Sequence, residues 1–175
     1  MIGVALGVTA LIVVTSVING VEGEIVRAVT RMHGDVLLYS VEAPVGDPEK
    51  VIARIKKLVR ETRGVLQALV TDLMVSGPKG AAAGGILEGS EMARFQDQQR
   101  MRQSLKWGRF PEAAREVTLG SSLAEKIGAV EGSKVRLTVP FAGESGEPRF
   151  TDITVVGAFS MGMHDFDSKY LLTTL

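Results

Sequence analysis

The first 20 residues form the most apolar stretch of the chain. No charged residue lies between Ile2 and Ile18, and the polar side chains there are Thr9, Thr15 and Ser16. A helix over these residues is about 26 Å long, close to the ~30 Å hydrocarbon core of a bilayer. A signal peptide would carry a basic leader before the apolar run and a small-residue cleavage site after it, and the sequence shows neither. The pattern predicts a transmembrane helix whose first turns precede this sequence. A signal sequence and a buried core helix are the alternatives.

Small residues are spaced four apart at two places in this helix. Gly3 and Gly7 make one pair, and Ser16 and Gly20 make the other. Small residues with this spacing leave a shallow groove that lets another helix approach closely. We predict that these four residues take part in helix packing, although the spacing is also common by chance in glycine-rich helices. Beyond Gly20 the helical period continues over residues 21–31, which predicts an amphipathic stalk.

Residues 35–88 combine β-prone and helical patterns. Residues 35–41 are short and β-prone, which predicts a strand. Asp47 at an N-cap position, Pro48 at the first helical position and Gly64 past the end of the apolar period predict a helix. Two further strands are predicted over residues 65–76 and 84–88. The order strand, helix, strand, strand predicts a small open-faced α/β layer.

The predicted helix after Asp47 is amphipathic, with an apolar face and a basic remainder. The apolar side chains are Val51, Ile52, Ile55, Leu58 and Val59, and the basic ones are Lys50, Arg54, Lys56, Lys57 and Arg60. We interpret the basic side as a solvated helix face.

The last third of the chain alternates between strand patterns and short connections. Strands are predicted over residues 116–119, 135–139, 150–159 and 170–172. Ser122 and Glu125 form a predicted capping box on a short helix that closes at Gly128. Residues 90–112 are polar and predict a short helix and a connecting loop, and residues 140–149 form the tip of a β-hairpin. The predicted fold class is therefore α+β, with a transmembrane helix and stalk followed by a mixed α/β domain.

Composition excludes several classes of function. The 20 Lys and Arg residues balance the 20 Asp and Glu residues, and all of them lie beyond Gly20. This balance argues against a nucleic-acid surface, and an aromatic content of 5% argues against base-stacking platforms. The absence of cysteine excludes disulfides, thiolate catalysis and cysteine-based zinc sites.

No stretch of the sequence matches a catalytic or metal-binding motif. The glycine-rich residues 76–85 lack the order of a phosphate loop, because Lys79 precedes the second glycine of the motif. Ser121 and Ser122 have no nucleophile-elbow frame around them. The run 164–167 has metal-ligand residue types but neither a histidine pair nor spaced carboxylates, so we interpret it as a surface turn. We predict no catalytic residue, no metal and no enzyme activity.

The end of the first helix resembles the lipoprotein-releasing permeases LolC and LolE. The family pattern there is Ser-x-x-Asn-Gly-Phe-Glu, and it is matched by Ser16, Asn19, Gly20 and Glu22, while Val21 replaces the aromatic residue. Downstream, two runs are similar to the second periplasmic subdomain of the family and two more to its closing strands. These runs are Leu119–Gly128, Glu131–Pro140, Val155–Phe159 and Asp165–Ser168. The resemblance extends over nearly the whole chain.

This resemblance implies a subunit of an inner-membrane ABC transporter with its residues after about 20 in the periplasm. It divides the chain into a helix and stalk (1–31), a porter-like α/β part (32–92) and a β-rich sabre-like part (93–175) that is incomplete at its end. The implied partners are a LolD-like ATPase, a second permease subunit, lipoprotein substrates, a LolA-like periplasmic carrier and the membrane. The ATPase would use ATP, and this chain would need no cofactor.

The same resemblance implies two binding sites. A lipoprotein-contacting face is expected at the outer end of the first helix, where ordinary lipid or helix packing is the alternative. Its residues are Val14, Val17, Ile18 and Val21. In the hairpin tip, Phe141 and Pro148 are expected to dock the carrier, with a plain solvated turn as the alternative.

Other functions compatible with the sequence differ in cargo or in class. A MacB-like efflux permease and an FtsX-like regulator share the same plan of a helix and a periplasmic domain. A binding module anchored by a single helix and, more remotely, an anchored enzyme that uses His33 or His164 are the alternatives of another class. The cargo, the choice among a LolC, LolE or homodimeric permease, and the symmetry of the oligomer stay open.

Overall fold

The computed structural model describes residues 2–33, 36–40, 45–62, 64–91, 99–140 and 146–175. The chain divides into two compact units, residues 1–42 and 43–175. The first unit is dominated by one helix, and the second contains a closed sheet and four shorter helices in its described part.

Helix α1 runs from Ile2 to His33 without interruption. Its segment Gly3–Gly23 has a mean hydropathy of 2.2 and is the one stretch in the described residues that is long and apolar enough to cross a membrane. The hydroxyls of Thr9 and Thr15 donate to the carbonyls of Ala5 and Leu11, each at 2.8 Å. These polar groups are therefore satisfied inside the helix, as an apolar surrounding requires. The predicted apolar helix and its helical continuation beyond Gly20 are confirmed.

Helix α2 covers Pro48–Leu58 and begins where the sequence predicts. The Asp47 carboxylate accepts a hydrogen bond from the Lys50 amide at 3.3 Å, which caps the helix. The helix ends earlier than the predicted stop at Gly64, because Val59 is extended. The amide and hydroxyl of Thr62 both donate to the Val59 carbonyl and form a turn there.

The predicted strand at residues 35–41 is wrong over its described part. Residues 36–40 form no strand, although residues 36–39 are apolar and exposed. A strand needs a neighbour to accept its backbone hydrogen bonds, and no ladder partner is found in the described residues.

The described residues contain seven strands, all in one sheet. They are β1 Ala68–Ser76, β2 Ala82–Ser90, β3 Leu105–Gly108, β4 Glu116–Gly120, β5 Lys134–Val139, β6 Arg149–Phe159 and β7 Tyr170–Thr174. The remaining described helices are α3 Gln99–Ser104, α4 Ser121–Ile127 and α5 His164–Asp167. The strands predicted around residues 65–76, 84–88, 116–119, 135–139, 150–159 and 170–172 are confirmed, with small shifts at their ends.

The sheet closes on itself. The strand order is β3-β6-β4-β7-β2-β1-β5, and β5 also pairs with β6. Six strands therefore form a ring, and β3 lies outside it along β6. Two of the pairings, β2 with β7 and β4 with β6, are parallel, and the others are antiparallel. Strands β5 and β7 pair with the outer edges of β1 and β2, so these two strands belong to a larger sheet than the small layer that the sequence predicts.

The ring is filled by apolar side chains from alternate strand positions and from α4. In β5 the inward residues Val135 and Leu137 are buried, while Lys134 and Arg136 between them are exposed, as the two-residue period of a strand dictates. Leu123 and Ile127 of α4 are fully buried in the same cluster. Each buried aliphatic side chain contributes about 1.5–3 kcal/mol to folding.

Helix α4 begins differently from the prediction. Its N-cap is Gly120, and no side chain caps the helix. The capping box of Ser122 and Glu125 is wrong, because the helix follows β4 directly and Ser122 already lies in the first turn. The predicted stop at Gly128 is confirmed: this residue is left-handed, with φ of 66°, and its amide donates to the last turn.

Residues 90–112, predicted as a short helix and a connecting loop, contain helix α3, which confirms the short helix, and also the edge strand β3, which the prediction lacks. Its pairing with β6 is antiparallel and is interrupted by a bulge between Leu105 and Trp107. The division between a porter-like and a sabre-like part at residue 92 stays a prediction. Strands from both sides of that position pair with each other in this sheet.

Candidate functional site

The second half of the candidate membrane span Gly3–Gly23 presents four β-branched side chains on one face of α1. Val14, Val17, Ile18 and Val21 follow the spacing i, i+3, i+4, i+7 and occupy a sector of about 100° on the helix. Each is more than half exposed, with values of 54%, 59%, 57% and 53%. The helix brings together all four residues predicted to contact lipoprotein, and it leaves them uncovered within the described residues.

The two pairs of small residues lie on different faces of α1. At about 100° per residue, Gly3 and Gly7 fall on the same side as Val14 and Val21. Ser16 and Gly20 fall on the opposite side. A Cβ added at Gly3, Gly7 or Gly20 would meet no atom within 4 Å. Helix packing at these positions stays a prediction. Because the two pairs lie on opposite sides of α1, each pair would form its own groove for a neighbouring helix.

This helix face is apolar and has no group for covalent chemistry. Its side chains are branched at Cβ and therefore stiff, so they present methyl groups in fixed positions. Transfer of an acyl chain from water to such a surface is favourable by ~0.8 kcal/mol per buried methylene. The geometry is suited to holding hydrocarbon.

The hairpin of β5 and β6 carries the second predicted site. Its last pair is Val139 with Arg149. Pro148, next to that pair, is exposed, whereas Phe141 lies outside the described residues. Docking of a carrier by these two residues therefore stays a prediction.

Sequence reasoning missed an apolar residue beside this tip. Phe150 is 63% exposed near the start of β6. The alternation of side chains along β6 could have predicted the exposure of Phe150. The buried positions of β6 begin at Ile153, so Phe150 lies in the part of the strand that extends past the core.

Further along the hairpin, an ion pair joins the two strands. The Arg136 guanidinium donates to Asp152 with an Nε–Oδ1 distance of 2.8 Å, and this bond lowers the pKa of the Asp152 carboxyl group.

A buried carboxylate in the stretch 164–167 has a structural use. This stretch is a one-turn helix, α5, and not the predicted surface turn. Asp167 is 6% exposed and accepts hydrogen bonds from the Ser160 hydroxyl at 2.7 Å and the Met161 amide at 2.8 Å. Within the described residues, no group of three or more potential metal ligands lies together.

An open depression of about 580 Å³ lies between α4, β3 and the turn joining β1 to β2. Lys79, Lys106, Trp107 and Glu125 are among the residues that line it. Ser121 also lines this opening, and the sequence around it has no nucleophile-elbow frame.

Comparison with known proteins points to one family. The sequence profile of the MacB-like periplasmic core domain matches residues 1–174. The lipoprotein-releasing system transmembrane protein LolC of Neisseria meningitidis serogroup B is 29% identical over 182 residues, which cover 98% of this chain and 42% of that protein. The protein of the same name from Haemophilus influenzae is 29% identical over 146 residues, which cover 79% of this chain and 34% of that protein.

Among solved structures, the extracellular domain of the noncanonic ABC-type transporter YknZ from Gram-positive bacteria is similar with a TM-score of 0.47 and 16% identity. The match covers 71% of this chain and 60% of that chain.

This chain spans less than half the length of its LolC relatives. The profile match and the LolC relatives confirm the resemblance drawn from the motif around Ser16, Asn19 and Gly20. Over residues 1–174, the chain belongs to the MacB-like periplasmic core domain family.

Proposed function

We propose that this chain is the first membrane helix and the periplasmic domain of a permease subunit of an inner-membrane ABC transporter. Its task is to release outer-membrane lipoproteins from the inner membrane to a periplasmic carrier. The observation that carries the proposal is a membrane-length apolar helix, in which four valine and isoleucine side chains at residues 14–21 share one face. The names of the LolC relatives support the choice of cargo.

Extraction of a lipoprotein requires a binding surface and a source of energy. The acyl chains are already favourably buried in the bilayer, so an apolar face on α1 can accept them at nearly equal free energy. Movement towards the carrier therefore has to be driven from outside this chain. A LolD-like ATPase that uses ATP supplies that energy, and this chain is not itself an enzyme and needs no cofactor.

The other partners are assigned to separate surfaces. A second permease subunit, from the same or another gene, packs against the small residues of α1. The hairpin tip with Phe141 and Pro148 docks a LolA-like carrier. Residues after about 20 face the periplasm, and the porter-like (32–92) and sabre-like (93–175) parts make up the domain there.

A release assay tests the proposal in the complete transporter. We expect Val17→Gln combined with Ile18→Gln to lower lipoprotein release by about tenfold or more, because a buried amide without a partner costs ~1–3 kcal/mol. Proteoliposomes that contain permease, ATPase, lipoprotein and carrier provide the measurement. ATP hydrolysis without lipoprotein should stay unchanged.

The matched control is Ile12→Gln, which changes a residue of equal exposure on the opposite face of α1. An equal loss of release in both variants would mean that any polar residue in the helix is harmful, and the assignment of this face to lipoprotein would be wrong.

A further inference from the structure

The open depression between α4, β3 and the turn that joins β1 to β2 lies wholly within the second unit. Its volume of about 580 Å³ is within the ~300–1,000 Å³ that is usual for ligand sites. Trp107 lines it, is partly buried and packs against the core of the ring. Ala124, Ala129 and Val130 add apolar lining. The depression therefore has an aromatic and aliphatic wall held by the core.

Backbone packing fixes the two lysines that line the depression. A Cβ added at Gly77, at the start of the turn, would clash with the Ile127 carbonyl, so the turn lies directly against α4. The Gly80 amide donates to the Gly77 carbonyl at 3.0 Å and closes the turn that carries Lys79. Lys106 lies at the β-bulge of β3. The two ammonium groups thus come from two different elements of one packed body.

The polar groups of the depression are open to a ligand. None of the ion pairs found among the described residues includes Lys79, Lys106 or Glu125. In the same part of the chain, the Trp107 indole N–H and the Ser121 hydroxyl make no hydrogen bond and are not buried. Two ammonium groups, one indole N–H and one hydroxyl can therefore donate to an anionic oxygen, beside a single carboxylate.

This set of groups favours a carboxylate joined to an apolar side chain. The lysines attract the carboxylate, and the indole ring covers the apolar part. A polyanion fits less well, because the Glu125 carboxylate would repel its additional charges.

The shape of the depression favours a segment of a larger partner over a free small molecule. In so open a site a small molecule would keep much of its surface in water. A protein segment gains further contacts at the rim, where Val130 is 66% exposed. The bulge and the lysine of β3 hinder the addition of another strand, so the segment has to be held by its side chains.

We propose that this depression binds an extended acidic segment of another protein. An apolar side chain of the segment packs on Trp107, and flanking carboxylates pair with Lys79 and Lys106. Side chains two residues apart in an extended chain point to the same side, so a segment with an apolar residue between two acidic ones at this spacing can use all three contacts. The site involves no residue of α1 or of the hairpin tip, and it therefore adds a partner to the proposed function.

Tryptophan fluorescence measures occupancy directly, because Trp107 is the one tryptophan of the sequence. The full chain in detergent is titrated with the peptide acetyl-Asp-Gly-Phe-Gly-Asp-amide, with selective excitation of tryptophan. The same peptide with asparagine in place of both aspartates tests the role of charge. N-acetylphenylalanine, which carries a carboxylate and a phenyl ring, tests a small molecule of the same chemistry.

We expect the acidic peptide to change the Trp107 emission saturably and to protect the indole from quenching by acrylamide. The asparagine peptide should bind about fivefold more weakly, because two exposed ion pairs are lost. Lys79→Gln and Lys106→Gln should each weaken binding of the acidic peptide about twofold, and together about fivefold. The matched control is Lys126→Gln, which removes an exposed charge of α4 outside the lining and should leave the affinity unchanged.

Four results would overturn the proposal. The first is an emission that no peptide changes. The second is equal affinity for the aspartate and asparagine peptides, and the third is an equal loss of affinity in Lys126→Gln and Lys106→Gln. The fourth is binding of N-acetylphenylalanine as tight as that of the pentapeptide, which would mean that the site takes a small carboxylate. None of these results bears on the lipoprotein face of α1.

Discussion

At the scale of single residues, the side chain of Glu116, the first residue of β4, binds the preceding segment 109–113 by hydrogen bonds. Its carboxylate accepts hydrogen bonds from the Arg109 guanidinium, with an Nη1–Oε2 distance of 2.8 Å, and from the amides of Glu112 and Ala113 at 2.9 and 3.2 Å. Chiefly because of the bond with Arg109, the pKa of Glu116 is lowered from 4.5 to about 2. The Glu116 side chain is 19% exposed, whereas that of Arg109 is 44% exposed, so solvent weakens the pair.

This pKa predicts how the stability of the domain depends on pH. The folded pKa is depressed, so the stabilisation by Glu116 is complete above about 4.5 and is lost as pH falls towards about 2. We expect Glu116→Gln to lower the free energy of unfolding at neutral pH by about 1–2 kcal/mol and to reduce its loss in acid. Urea unfolding at several pH values measures both quantities.

The control for this prediction is Glu112→Gln, which removes a carboxylate 3.8 Å from Arg109 that is 63% exposed. It should change stability by less than about 0.5 kcal/mol. A Glu116→Gln protein that loses as much stability in acid as the parent would show that the Arg109 pair does not govern the acid response.

At the scale of elements, local signals in the sequence predict well where structure is decided locally. The cap at Asp47, the left-handed Gly128 and the two-residue alternation of β5 follow from short stretches, and the structure contains each of them. Elements that depend on distant partners are predicted poorly. Residues 36–40 have strand propensity without a ladder, whereas Leu105–Gly108 is a strand because β6 lies beside it.

The end of α4 gives a prediction at this scale. Gly128 has φ of 66°, and a Cβ there would meet nothing within 4 Å, so the cost of a side chain is conformational and not steric. We expect Gly128→Ala to destabilise the domain by about 1 kcal/mol, and Gly128→Asn by less, because Asn tolerates the left-handed region. Thermal unfolding of the two variants provides the comparison. Equal destabilisation would contradict a conformational origin.

The candidate site was predictable only in part, for a physical reason. Helical spacing alone places Val14, Val17, Ile18 and Val21 on one face, and the structure agrees. The same spacing separates the small pair at Ser16 from the pair at Gly3, which the repeated motif did not reveal. What covers an exposed face depends on partner molecules, and no periodicity within one chain encodes them.

At the scale of the whole molecule, the charged residues are distributed unevenly along the chain. Its first 20 residues carry no charge, and all 40 charged residues follow. The second unit closes its sheet into a ring, so six strands have neighbours on both sides and β3 is left at the edge. A closed ring filled with apolar side chains is suited to be a rigid body.

The central claim is that the Val14–Val21 face of α1 holds lipoprotein acyl chains, and crosslinking tests it most directly. A photocrosslinking residue is placed at Val17 in the complete permease, with Ser16 as the control at the same depth on the opposite face. The account predicts that Val17 captures the acyl chains of lipoprotein and that ATP with the carrier removes this product, while Ser16 gives little of it. Capture of phospholipid alone at Val17, or equal capture of lipoprotein at both positions, would contradict the account.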